Sequence, residues 1–137
     1  MAETFELQIA TPERLLVSEQ VTSAQIPAEN GYLGVLPDHA PLFAQLGIGA
    51  LSWEGEAGRD VAVVVSQGFI EIRDNHVRVL ADEAEFGSEI DLARAEQDLK
   101  DAQEQMAHPE PDMNVDAVLI KWRKAAARIE TAQETGS

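Results

Sequence analysis

Apolar and polar positions alternate in short bursts along the first part of the chain, then change period. FELQIA (5–10), VTSAQI (21–26), VAVVV (61–65), FIEIR (69–73) and HVRVL (76–80) are rich in β-branched and aromatic residues, and Gly, Pro, Asn and Asp separate them. That combination predicts strands. FIEIRDNHVRVL predicts a hairpin, because Asp74 and Asn75 both tolerate positive φ in a two-residue turn. The register places Ile72 opposite Val77 and Ile70 opposite Val79 on one face, and Glu71 opposite Arg78 on the other. Many short strands at close spacing predict an antiparallel β-sandwich or barrel over residues 1–86. One stretch, IPAENGYLGVLPDHAPL (26–42), follows neither the strand nor the helix period, and its glycines and prolines predict a sharply bent surface loop.

From Ile90 the apolar spacing becomes helical. Leu92, Ala95, Leu99, Ala102 and Met106 alternate steps of three and four, as do Val115, Val118, Trp122, Ala125, Ile129 and Ala132. Ser88 or Asp91 can cap the first helix, and Asp112 or Asn114 starts the second. The loop AHPEPD, with Pro109 and Pro111, implies an antiparallel two-helix hairpin over residues 87–137. Alanine at several seam positions buries little area at roughly 25 cal/mol per Å², so such a hairpin can undock at modest cost. The acidic run ADEAEFGSEID (81–91) between the two parts lacks the alternating ligands and central glycine of a calcium loop and predicts a solvated linker.

Composition narrows the function. The chain has 137 residues, 45% of them apolar, enough for a packed domain whose core relies on aliphatic side chains. Cysteine is absent, which excludes disulfides, thiolate metal sites and cysteine nucleophiles. A net charge of −15 argues against binding nucleic acid or an anionic membrane surface. No run is long enough to span a bilayer. MAETFELQIATPE carries neither a basic n-region nor an apolar h-region, so the expectation is a soluble protein that stays where it is made.

No phosphate loop, nucleophile elbow or HExxH motif is present. His39, His76 and His108 stand far apart with no ligand-spaced partners, so no metal site is expected. Asp38 and His39 are the nearest thing to a general-base pair, but no serine or cysteine nucleophile accompanies them; an enzyme is not expected. The basic residues are unevenly placed: Lys121, Arg123, Lys124 and Arg128 are four of the ten Lys and Arg in the chain. The bland reading pairs them with Glu130 or the acidic first helix. The functional reading is a basic stripe that engages an acidic partner when the hairpin moves.

FELQIATPERLLVSEQVTSAQIPAENGYLGVLPDHAPLFAQLGIGAL, followed by the helical hairpin, resembles the epsilon subunit of bacterial F-type ATP synthase. The matching positions include Pro27, Gly31, Leu33, Gly34, Pro37, His39, Ala40, Pro41 and Leu42. The resemblance implies a flattened sandwich of about ten strands in an α+β chain. It also implies a non-catalytic place in the central rotor, against the gamma subunit and the c-ring, on the cytoplasmic face of the inner membrane. Tyr32 and His39 would face the c-ring on a loop shaped by Pro27, Gly31, Gly34, Pro37 and Pro41. Relatives often carry an acidic residue where this chain has Tyr32, so packing replaces a polar contact there. In many members the hairpin extends into the catalytic head, and its basic helix meets acidic segments of the alpha and beta subunits and blocks ATP hydrolysis. Lys121, Arg123, Lys124 and Arg128 stand where that mechanism needs them. IDLARA also matches the family's short ATP signature at Ile90, Asp91, Arg94 and Ala95, with Arg123 and Arg128 as further candidates. An ATP-sensing module whose hairpin folds around weakly bound nucleotide is the alternative; Asp91 as a plain helix cap and Arg94 as a surface ion pair is the competing account.

Overall fold

A computed structural model of the chain describes residues 3–55 and 60–136. Six strands precede two helices: β1 (Phe5–Ala10), β2 (Leu15–Ala28), β3 (Gly31–Val35), β4 (Leu42–Gly55), β5 (Asp60–Arg73) and β6 (His76–Phe86), then α1 (Leu92–Ala107) and α2 (Val115–Gly136). The strands lie in the order β1-β6-β5-β4-β2-β3, and β1 also pairs with β2, which closes the sheet on itself. Closure removes most free edges. All pairings are antiparallel except β1 with β6, which is parallel.

Six strands replace the expected ten or so because β2, β4 and β5 are each 14 residues long and serve both layers. The inward face switches along them. In β5, Val63 and Val65 point into the core at one end, and Ile70 and Ile72 do so at the other. In β4 the switch falls between Leu46 and Leu51, and in β6 between Ala81 and Ala84. The pairing register stays constant through the bend, so the three strands turn one corner together. Gln67 (φ 59°) and Gly68 (φ 129°) make that corner in β5. A Cβ on Gly68 would lie 2.0 Å from the Leu80 carbonyl oxygen, and one on Gly47 would lie 2.7 Å from that of Ala28. Only glycine allows backbones to approach so closely.

The predicted hairpin forms as read: Ile70 pairs with Val79, Glu71 with Arg78 and Ile72 with Val77, with Asp74 and Asn75 both at positive φ. Two readings are corrected. IPAENGYLGVLPDHAPL is not simply a loop, because β2 and β3 form a tight hairpin within it, Pro27 pairing with Tyr32 and Ala28 with Gly31. Pro27 sits where the β2–β4 register shifts, a place that tolerates a missing N–H. The acidic run is not a linker either: residues 81–86 are the end of β6, and only Gly87–Glu89 forms a short connecting turn of 3₁₀ helix.

Asp91 caps α1, its Oδ1 accepting from the Arg94 N–H at 3.1 Å. The hairpin buries small residues: Ala95, Ala102, Val118, Ala125, Ala127 and Thr131. Leu92 and Val115, in the first turns of their helices, stay exposed. The buried face of α2 is broader than the predicted seam because α2 packs on α1 and also on β4 and β5. Thr131 is accepted there because its hydroxyl donates to the Ala127 carbonyl at 2.7 Å. Among the described residues no helix is long and apolar enough to cross a membrane.

Candidate functional site

Beneath α2, β5 is buried on both faces: Val63 and Val65 belong to the sandwich core, while Ala62, Val64 and Ser66 lie on the opposite side. A cleft of about 670 Å³ opens there, lined by Ser66, Glu83, Glu85, Asp98, Lys124 and Arg128 among others. The Ser66 hydroxyl is buried and has no hydrogen-bond partner among the described residues. Lys124 pairs with Glu83. The Arg128 Nε donates to Glu85 Oε1 at 2.6 Å, and its Nη1 lies 3.9 Å from Asp98 Oδ2. Neither the bland nor the functional reading of the basic stripe foresaw the acidic end of β6 as its counterpart. The missed signal was Glu83 and Glu85 at a spacing of two, which puts both on one face of a strand.

Arg123 is separated from this group and lines a second cleft of about 770 Å³ with Tyr32, Pro27 and Gln67. Lys121 remains on the first cleft. The four basic residues therefore divide between two clefts. Of the nucleotide candidates, Asp91 is occupied as the α1 cap and Arg94 Nε pairs with Asp98 Oδ1 at 3.3 Å. Asp98 thus bridges Arg94 and Arg128, whereas Arg123 stands apart.

Tyr32 folds back on β4, its hydroxyl accepting the Ala50 N–H at 3.2 Å. His39 lies in the segment 36–41, bracketed by Pro37 and Pro41, with Nδ1 2.7 Å from the Ala40 carbonyl oxygen. Asp38 does not pair with His39. Its N–H donates to Asn75 Oδ1 at 2.7 Å, and its carboxylate accepts from Asn75 Nδ2 at 3.0 Å. Asn75 also accepts the Glu6 N–H through its carbonyl at 2.9 Å, so the β5–β6 turn fixes this segment and the start of β1 together. Gly31 opens β3, and Gly34 pairs with Gln25.

At the junction between sandwich and hairpin, Arg14 holds Glu89 with two hydrogen bonds of 3.2 and 2.7 Å. Glu89 also accepts the Phe86 N–H at 2.9 Å. These bonds, Arg14 first and Phe86 second, hold the Glu89 carboxyl below its ordinary pKa.

The outer face of the sheet carries an apolar row that sequence reasoning missed. Phe43 and Phe69 stack at 5.4 Å, Phe69 pairs with Leu80, Leu80 with Ala10, and Ala10 with Leu15. Phe43, Phe69, Leu80 and Leu15 are all exposed. The signal lay in the predicted hairpin, where Phe69 and Leu80 share the face of Glu71 and Arg78.

The family model described as "ATP synthase, Delta/Epsilon chain, beta-sandwich domain" matches residues 4–87, and "ATP synthase, Delta/Epsilon chain, long alpha-helix domain" matches residues 88–133. The ATP synthase epsilon chain of Solibacter usitatus (strain Ellin6076) is 46% identical over 98% of this chain and 99% of its own. That of Syntrophomonas wolfei is 38% identical over 98% of each chain. A chain in the cryo-EM structure of the Euglena gracilis mitochondrial ATP synthase (OSCP/F1/c-ring) shares the fold, with a TM-score of 0.82 at 24% identity over 99% of this chain and 82% of that one. With both models and these end-to-end relatives in agreement, the chain belongs to the ATP synthase delta/epsilon chain family.

Proposed function

We propose that the chain is a non-catalytic central-stalk subunit of an F-type ATP synthase, seated on the gamma subunit through the outer apolar row. It transmits torque as a rigid adaptor and performs no chemistry. The observation that carries the docking surface is the exposure of Phe43 (66%), Phe69 (46%) and Leu80 (49%) side by side on one rigid sheet. Aromatic anchors of this kind supply most of the energy of protein interfaces. Glu71 and Arg78 flank the row and would form its polar rim. The segment 36–41 with His39, and the β2–β3 corner with Tyr32, are the proposed contacts to the c-ring, and the proposed location is the cytoplasmic face of the inner membrane.

The hairpin is proposed as a brake on hydrolysis, with Lys121, Arg123, Lys124 and Arg128 engaging acidic segments of the alpha and beta subunits once α2 leaves the sandwich. Deleting residues 88–137 in the assembled enzyme tests this directly. ATP hydrolysis rises if the hairpin inhibits, and unchanged hydrolysis rejects the brake while leaving the docking role standing. The nucleotide-sensing alternative is weaker, because Asp91, Arg94 and Arg128 are already engaged within the chain and Arg123 lines a different cleft. Calorimetry with millimolar ATP, comparing the chain with Arg94→Ala, decides it: heat lost on substitution would revive that reading.

A further inference from the structure

We propose that the acidic end of β6 and the basic face of α2 form an electrostatic latch that holds the hairpin on the sandwich and keeps its cations occupied. The latch follows from matched periods. Glu83 and Glu85, two residues apart on a strand, are offset by about 6.7 Å along β6. Lys124 and Arg128, four apart on a helix, are offset by about 6 Å along α2. The two repeats agree closely enough for Lys124–Glu83 and Arg128–Glu85 to form together. Asp98 adds α1 to the network through Arg94 and Arg128.

On the β5 side of this junction the apolar surface is small. The surface that β5 presents to α2 is Ala62, Val64 and Ser66, and the hairpin's own seam is mostly alanine. The Arg128 and Glu85 side chains are only 22% and 30% exposed, so their attraction is screened less than that of a surface pair. Asp82, Glu13, Arg14 and Lys121 line the same cleft and set the surrounding field.

The latch makes two engagements exclusive. An acidic partner that takes Lys124 and Arg128 must first displace Glu83 and Glu85, and it shifts the equilibrium only by the difference in affinity between the two states. That regulatory consequence rests on the inhibitory reading above. The latch itself belongs to the free chain, so the experiment reads docking alone.

The chain has no cysteine, so Ser66→Cys introduces a single thiol. Ser66 is buried beneath α2 and its hydroxyl makes no bond that the substitution would break. Its alkylation rate in the full-length chain reports how often α2 lifts, even where the lifted state is rare. In this background Glu83→Gln with Glu85→Gln should speed labelling about tenfold or more, and raising salt from about 0.05 to about 1 M should speed labelling of the parent but hardly that of the Gln variant. Exchanging one pair (Glu83→Lys with Lys124→Glu), which leaves Arg128 with Glu85 and Asp98, should bring labelling back below the rate of the Gln variant. Parent and Gln variant rates within about twofold of each other, labelling that ignores salt, or a folded charge-exchanged chain that still labels fast would each overturn the latch. If the exchanged chain does not fold, the isosteric Gln variant and the salt titration decide alone.

Discussion

Replacing Gly68 by alanine tests the corner on which the sandwich depends. Two costs arise at that position. A φ of 129° is a conformation that residues with a side chain rarely adopt, and holding one there costs about 1–3 kcal/mol. The new methyl would also stand 2.0 Å from the Leu80 carbonyl oxygen and 3.0 Å from the Ala81 Cα, both backbone atoms. Relief requires β5 and β6 to part locally, adding about 1–3 kcal/mol from overpacking and a weakened ladder bond. The sum, about 2–6 kcal/mol, is a large share of the roughly 5–15 kcal/mol that holds an ordinary domain together. Gly31 supplies the control: its φ is 127°, yet a Cβ there meets nothing within 4 Å. Gly31→Ala should therefore cost only the strain, about 1–3 kcal/mol. Urea unfolding of both variants separates the terms, since a difference of about 2 kcal/mol moves the midpoint by about 1 M at the slopes usual for small domains. Equal midpoints for the two substitutions would refute the close-approach argument.

Other residues give independent checks. Asn75→Gly keeps the positive φ unstrained and removes both hydrogen bonds to Asp38; it should destabilise the chain by about 1–3 kcal/mol and speed amide exchange at Asp38. The Arg14–Glu89 clasp should respond to acid. Glu89 has a folded-state pKa below its ordinary value, so its contribution is present above about pH 4.3 and is lost as pH falls through the depressed value. NMR titration of Glu89 should show that depression, and Arg14→Ala should remove most of it; an unchanged midpoint in the variant would show that the Phe86 N–H alone sets it.

What the sequence disclosed was whatever depends on near neighbours. The 69–80 hairpin was legible to the residue because turn chemistry at Asp74 and Asn75 fixes the pairing on either side. The helices were legible from their period and the Asp91 cap. The corner was not, because at Gln67–Gly68 the strand changes which parity faces inward, and alternation reads as broken. That is why Asp82, Glu83 and Glu85 looked like a solvated linker although Glu83 and Glu85 lie opposite α2. Tyr32 and His39 were singled out within one unusual stretch, but what anchors that stretch, Ala50 in β4 and Asn75 in the β5–β6 turn, lies far along the chain. The apolar row on the outer face was hidden for the same reason: Leu15, Leu80, Phe69 and Phe43 meet only through four cross-strand pairings.

The central claim is that a rigid sandwich docks on the rotor through this row, and titrating the purified chain with gamma subunit in a calorimeter tests it most directly. A 1:1 complex should form and should survive truncation after residue 86. Phe43→Ser with Phe69→Ser should weaken it about a hundredfold or more, since each exposed anchor is worth about 1.4 kcal/mol or more, and should leave the fold intact because both rings are exposed. Absence of binding by the folded chain, or binding that ignores the loss of both rings, would contradict the account.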